Sequence, residues 1–152
     1  RRQRQMCIRD SGSSYLPKNK QSHLYIEDNR GLQKVLQRIR AKYPELVMQL
    51  CAGGGARVNY GLLPYFDDVI CGDEIERGKP YPDIYLKACE KLGTKPEETV
   101  GVEDSNNGVT ASHDAGLYTL MVIDLIQPDE ETKKKADRIS NDIFELTELF
   151  ED

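Results

Sequence analysis

No apolar run in these 152 residues approaches the length that a bilayer span requires, and the N-terminal RRQRQMCIRD lacks the apolar core of a secretory signal. Histidine is scarce, with two in the chain, and the four cysteines (Cys7, Cys51, Cys71, Cys89) are scattered without a Cys-x-x-Cys pair. A zinc site is thereby disfavoured, and reduced thiols in a cytoplasm are expected. Internal repeats and long linkers are lacking too, and the length suits one domain of ordinary size. Residues 1–10 hold Arg1, Arg2, Arg4 and Arg9 against Asp10, a net of +3, so the rest of the chain carries −8 within the overall −5. A body that acidic is ill suited to binding nucleic acid through its phosphates.

The basic head has its own reading. RRQRQMCIRDS resembles, in one reading frame, the translation of a transposon-type adapter used in preparing sequencing libraries. Residues 1–11 are therefore expected to stand outside the fold, as tags and fusion scars do, with the natural start of the gene missing. Asp10-Ser11-Gly12 looks faintly like an aspartyl nucleophile loop, but no apolar strand precedes it and no second aspartate follows two positions on. It is given no catalytic role.

Residues 12–23 are polar and read as loop. From about Asn29, Leu32, Val35, Leu36 and Ile39 recur at helical spacing, and Pro44 sets the limit of that helix. Residues 46–51 form a short apolar run, read as a strand, that ends in Ala52-Gly53-Gly54-Gly55. Strands are also predicted over 68–71, 99–102 and 118–123. Between them, Pro82 opens a helix with the buried stripe Ile84, Tyr85, Ala88, Cys89 and Leu92, closed by Gly93. Pro96 to Glu98 reads as a helical turn. Ser105 or Asn106 caps a helix that runs to Ala115 and stops at Gly116. Residues 128–136 and 141–150 read as short helices around a bridging Arg138-Ile139-Ser140, and Lys133, Lys134 and Lys135 as a solvated face. Strands alternating with helices indicate an α/β domain with a parallel sheet.

In such a sheet, ligands gather beyond the carboxyl ends of the strands. Glu103 and Asp104 directly follow the predicted strand 99–102, as exposed carboxylates on a rigid rim, and oxygen ligands of that kind suit Mg²⁺. Lys79 follows the strand 68–71 and can reach the same rim, where an ammonium offsets charge developing on a phosphoryl group. Asn106, Asn107 and Gly108 add donors at a helix N-terminus, a position that favours anions. Singly, each has a bland explanation: capping and solubility for the acids, an ordinary surface side chain for Lys79. Together, at this spacing, they point to a site for a phosphate and a hard cation. His23 and His113 fall in a polar loop and on a polar helix face, with no partner that suggests catalysis.

The stretch LLPYFDDVICGDEIERGKPYPDIYLKACEKLG, with VGVEDSNNGVTASHDAGLYTLMV after it, resembles the C-terminal half of a haloacid dehalogenase (HAD) superfamily hydrolase of the sugar-phosphate phosphatase and β-phosphoglucomutase-like group. VIDLIQPDEE resembles that family's tail. The resemblance implies a Rossmann-like HAD core, a parallel sheet with flanking helices, and Mg²⁺-dependent chemistry on a small phosphorylated metabolite in the cytoplasm. It makes Lys79 the lysine of the family's third motif, a candidate catalytic and phosphate-binding residue, beside Asn107. Glu103 and Asp104 match the acids of the fourth motif as candidate metal ligands, Asp104 foremost.

The departures from the family pattern are specific. No apolar strand ending in Asp-x-Asp-Gly supplies the aspartate nucleophile and its acid/base partner, and the cap domain that selects the substrate is missing too. The core is therefore expected to be incomplete, with its first strand absent and the sheet left open in its middle. Where a second motif ending in Ser or Thr belongs stand Ala52, Gly53 and Gly54. Residues 12–57 are either a degenerate second-motif region or a foreign piece, since GLQKVLQRIRAKYPELVMQLCAGGG also resembles a nucleotide-binding part of a glycosyltransferase. Residues 58–152 form the C-terminal part of the hydrolase core. The expected function is a fragment of a phosphatase or phosphomutase, inactive as it stands. A non-catalytic phosphate-binding module and a chimera are the alternatives. No nucleic acid or membrane partner is expected.

Overall fold

Leu32, Val35, Leu36 and Ile39 fall on one stripe of a helix, and in the computed structural model, which describes residues 24–52 and 63–143 (side chains from residue 30 onward), they lie on α1, Leu24–Lys42. Val35, Leu36 and Ile39 are buried. The helix begins earlier than its apolar pattern does, because Glu27, Asp28, Asn29 and Arg30 hide its first turns behind a polar composition. The chain divides into two units, Arg1–Glu45 and Leu46–Asp152, and α1 belongs to the first.

The second unit is built from βα repeats. β1 (Gln49–Ala52) and β2 (Asp68–Cys71) run parallel, with Cys51 opposite Ile70. Asp67 fastens their entry: its backbone N–H donates to the Met48 carbonyl at 2.7 Å, and its carboxylate accepts from the Met48 N–H at 2.8 Å. After β2 a 3₁₀ turn, Gly72–Glu74, is closed by Glu74, whose carboxylate accepts from the Cys71 N–H at 3.0 Å. α2 spans Asp83–Leu92 and ends at Gly93, whose φ of 67° is the left-handed conformation that a side chain would disfavour. A short turn, Pro96–Glu98, leads into β3 (Val100–Glu103). Then follow α3 (Asn106–Asp114), β4 (Tyr118–Val122), α4 (Glu130–Lys135) and β5 (Arg138–Ser140). β4 pairs in parallel with both β3 and β5.

The architecture is the α/β, Rossmann-like core expected, with flanking helices. Its parallel sheet is incomplete: the described strands form two ladders, β1–β2 and β3–β4–β5, with no strand among the described residues joining them. Ile70 from β2, Ile84, Tyr85, Ala88 and Cys89 from α2, Ala111 from α3, and Ala115 and Leu117 beyond it make one buried cluster, with Cys51 of β1 packed against it. α3 approaches β3 closely because Gly101 has no side chain. A Cβ there would lie 2.1 Å from Ser112 Oγ, which is instead 2.8 Å from Thr119 Oγ1 in a fully buried pair.

Two expectations are corrected. Arg138-Ile139-Ser140 is a strand, not a bridge between helices; three residues are too few to display a two-residue alternation. The strand predicted over 99–102 is displaced by one residue, which matters for the site below. Asp10, the glycines at 53–55 and most of the predicted helix over 141–150 lie outside the described residues.

Candidate functional site

Successive side chains of a strand alternate between its two faces. Because β3 ends at Glu103, that residue is the last of the strand and not the first of the rim. Val102 is 41% exposed, while Glu103 is 7% exposed and points toward α3. The expectation of an exposed Glu103 is thus overturned by the alternation of the strand. Asp104, next in the chain, is half-buried beyond the strand's end.

A carboxylate buried this far needs charge-bearing or hydrogen-bonding partners. Glu103 has two. The Lys79 ammonium and the Tyr85 hydroxyl both donate to its Oε1. The ammonium also lies 5.3 Å from the centroid of the Tyr85 ring, within reach of a cation–π contact. On the other side Glu103 abuts the first turn of α3, where a Cβ on Gly108 would fall 1.8 Å from Oε2. Glycine is therefore required there by space, not by backbone angle.

Lys79 is presented by the turn between β2 and α2, and the Lys79–Pro80 peptide is cis. Arg77 and Asp83 bracket that turn. The Arg77 Nη2 and Nε donate to Asp83 Oδ1 and Oδ2 at 2.8 and 3.1 Å, and the Arg77 backbone N–H reaches the same carboxylate at 3.2 Å. The hydrogen bonds from Arg77 hold the Asp83 carboxyl below the usual range. Burial, reinforced by the nearby Glu103 charge, pushes the Tyr85 phenol far above the ordinary tyrosine range, so it remains a donor. Burial also raises the Cys51 thiol to about 11, an effect that Lys79 opposes and Glu103 adds to.

The N-terminus of α3 faces the same end of β3. Ser105 is its cap and accepts from the Gly108 N–H at 3.2 Å, which leaves Asn106 free of that duty. Asn106 instead donates to Asp129 at 3.1 Å. Asn107 is exposed in the first helical turn.

The structure thus brings Lys79 and Glu103 together across 24 residues of sequence and sets Asp104 and Asn107 beside them in chain order. Among the described residues there is no group of three or more His, Cys, Asp or Glu that could cage a metal ion. Mg²⁺ does not require a cage, since it is commonly held by one or two carboxylates together with waters and substrate phosphate. Asp104 fits such a partial donor set; the Oε1 of Glu103 is already occupied. In the sequence Tyr85 reads as one more member of an apolar stripe. Its polar tip was the available signal, because a buried phenol hydroxyl ordinarily finds a partner.

Parallel βα units with charged groups gathered at the carboxyl end of β3 define a Rossmann-like α/β core. Residues 30–116, more than half of the chain, match the haloacid dehalogenase-like hydrolase family, and the chain belongs to that family. It is 32% identical over 96 residues to a phosphorylated carbohydrates phosphatase of Thermotoga maritima, covering 60% of this chain and 44% of that protein. A glyceraldehyde 3-phosphate phosphatase of Methanocaldococcus jannaschii is 29% identical over 93 residues, covering 60% and 41%. A phosphoglycolate phosphatase of Escherichia coli is 36% identical over 77 residues, covering 45% and 31%. The chain spans less than half the length of these curated relatives. Among solved structures, CbbY from Rhodobacter sphaeroides in complex with phosphate superposes with a TM-score of 0.64 at 23% identity, covering 91% of this chain and 71% of that one. The β-phosphoglucomutase of Clostridium difficile gives a TM-score of 0.59 at 16% identity, covering 88% and 66%. At these identities the likeness is one of fold. No helix among the described residues is long and apolar enough to cross a membrane.

Proposed function

We propose that this chain carries the lysine-and-carboxylate half of a Mg²⁺-dependent site for phosphate monoesters, of the kind that serves a phosphatase or phosphomutase acting on a small phosphorylated sugar. The observation that carries this reading is the part-buried Lys79–Glu103 pair at the carboxyl end of β3, with Asp104 next in the chain. Lys79 is the phosphate-binding and catalytic candidate, because an ammonium held in a partly dehydrated site stabilises charge on a phosphoryl group more strongly than one in water. Asn107, exposed in the first turn of α3, is a second donor to the anion. Asp104 is the residue we assign to Mg²⁺, with Glu103 bordering it. The ion, when bound, supplies Lewis-acid neutralisation of phosphate charge.

The chain assayed alone is inactive in this proposal, since no Asp-x-Asp on an apolar strand supplies a nucleophile. A cytoplasmic setting is part of the same reading and is supported by Cys51, Cys71 and Cys89, which are free cysteines among the described residues. Residues 30–57 belong to the hydrolase and not to a foreign piece; the family match that opens at residue 30 and the pairing of β1 with β2 support this. The test is a titration of the purified chain with inorganic phosphate in the presence and absence of MgCl₂, alongside turnover of an aryl phosphate. Phosphate binding that strengthens with Mg²⁺, is lost in Lys79→Ala and loses its Mg²⁺ dependence in Asp104→Asn is expected, with no turnover. Binding indifferent to both substitutions would refute the site. Magnesium-dependent turnover abolished by Asp104→Asn would refute the inactivity.

A further inference from the structure

Tyr85 is 5% exposed, and its ring belongs to the buried cluster with Ile70, Ile84 and Ala88. Its hydroxyl nevertheless leaves that cluster and donates to the one carboxylate oxygen of Glu103 that also receives the Lys79 ammonium. The ring face flanks the same ammonium at 5.3 Å. Tyr85 therefore touches both members of the ion pair. Glu103 is restrained on its far side by Gly108, against which Oε2 is packed. Lysine and glutamate side chains are long and flexible, and an ion pair between them alone fixes neither. A phenol on a helix is different: its two side-chain torsions are set by the packing of the ring, so its hydroxyl is a fixed point.

We propose that Tyr85 is a positioning residue of this site: its hydroxyl fixes the Glu103 carboxylate and its ring flanks the ammonium, so that Lys79 is held at the carboxyl end of β3 in readiness for a phosphoryl oxygen. This rests on the reading of the site as a phosphate site. It gives Glu103 the task of holding the lysine, while Asp104 remains the residue assigned to the cation. Removing the hydroxyl leaves Glu103 with one donor in a buried setting, and the lysine with a partner that is free to turn.

The experiment uses the full chain as wild type, Tyr85→Phe, Lys79→Ala and, as a control, Tyr118→Phe, which alters an exposed tyrosine (42%). Two quantities are read: proton exchange of the Lys79 ammonium by lysine-selective ¹⁵N NMR, and the dissociation constant for inorganic phosphate. Tyr85→Phe is expected to keep the wild-type circular dichroism, to speed ammonium exchange about tenfold and to weaken phosphate binding about tenfold, the worth of one hydrogen bond to a charged group. Tyr118→Phe changes neither. Phosphate affinity lost in Lys79→Ala but kept in Tyr85→Phe, with ammonium exchange unchanged, overturns the positioning role alone. Affinity unchanged in Lys79→Ala overturns the phosphate reading and the positioning role with it. The wild-type protein gives a check that needs no variant to fold: the Tyr85 hydroxyl proton is expected to exchange slowly enough with water to be observed. A hydroxyl proton exchanging as fast as that of Tyr118 would overturn the assignment.

Discussion

Replacing Gly108 by alanine adds one methyl group, and the structure says what it meets. The new Cβ would lie 1.8 Å from Glu103 Oε2, 2.3 Å from its Cδ and 2.9 Å from Ser105 Oγ. A flexible surface carboxylate would swing aside at little cost. Glu103 is not one, because its side chain is 6% exposed and its other oxygen is bound by Lys79 and Tyr85. Accommodation must strain α3 against β3 or break those bonds. Overpacking of this kind costs roughly 1–3 kcal/mol, and alanine returns up to about 1 kcal/mol of helix propensity. The expected net effect is a destabilisation of about 1–2 kcal/mol, or a fall in Tm of about 2–8 °C for a chain of this size. Urea unfolding followed by circular dichroism measures it. Gly31→Ala, within α1 and with nothing within 4 Å of its Cβ, is the matched control and is expected to raise stability by up to about 1 kcal/mol. If the clash is with Glu103, the cost of Gly108→Ala should largely vanish in a Glu103→Ala background, a coupling that a double-mutant cycle isolates. Gly108→Ala at or above wild-type stability, or a cost unchanged by Glu103→Ala, would refute the packing described.

Gly101→Ala is expected to cost roughly 1–3 kcal/mol in the same assay, since its Cβ would overlap Ser112 Oγ, and Ser112→Ala should recover part of that loss. Ser105→Ala removes the cap of α3 and is expected to cost about 1 kcal/mol, whereas Ser105→Asp should retain most of the stability. Alkylation at pH 8 followed by mass spectrometry should modify exposed Cys71 well before half-buried Cys51 or buried Cys89; equal rates for Cys51 and Cys71 would refute the partial shielding of Cys51. Because burial raises the folded Cys51 thiol to about 11, the folded state prefers it protonated. That stabilising preference is fully present below the ordinary thiol range and is lost as pH climbs toward 11, a loss that Cys51→Ala should remove from the pH–stability profile.

Where the sequence carried a strong period or a stop residue, the fold was legible. The stripe Ile84, Tyr85, Ala88 and Cys89 followed by Gly93 placed α2 correctly, because a glycine in the left-handed region ends a helix in a way other residues resist. Four-residue strands carry no such punctuation. Thr99 differs little from Val100 in strand preference, so nothing local distinguished a strand over 99–102 from one over 100–103. The ladder with β4 decides it, pairing Val100 with Tyr118 and Glu103 with Met121, and those partners lie on a different strand. β5 escaped notice for a related reason: its evidence is a ladder with β4, supplied by Met121 opposite Ile139 and invisible in three residues of sequence.

The alternation of burial along β3 governs how the site is understood. Read as rim residues, Glu103 and Asp104 form a matched pair of exposed acids, and either serves a cation. Their burial divides them, Glu103 being buried and Asp104 half-buried. Glu103 turns inward, where the cost of burying its charge is offset only by keeping Lys79 and Tyr85 on it. Asp104, half-buried just past the strand's end, is the residue that the proposed site assigns to the cation. A Glu103→Gln substitution therefore tests a different thing from Asp104→Asn, although the two residues are adjacent. The first should release the lysine, weakening phosphate binding whether or not Mg²⁺ is present; the second should weaken only the Mg²⁺-dependent part. A common response to both substitutions would mean that the acids act as one metal-binding pair and that the alternation of β3 does not separate their roles.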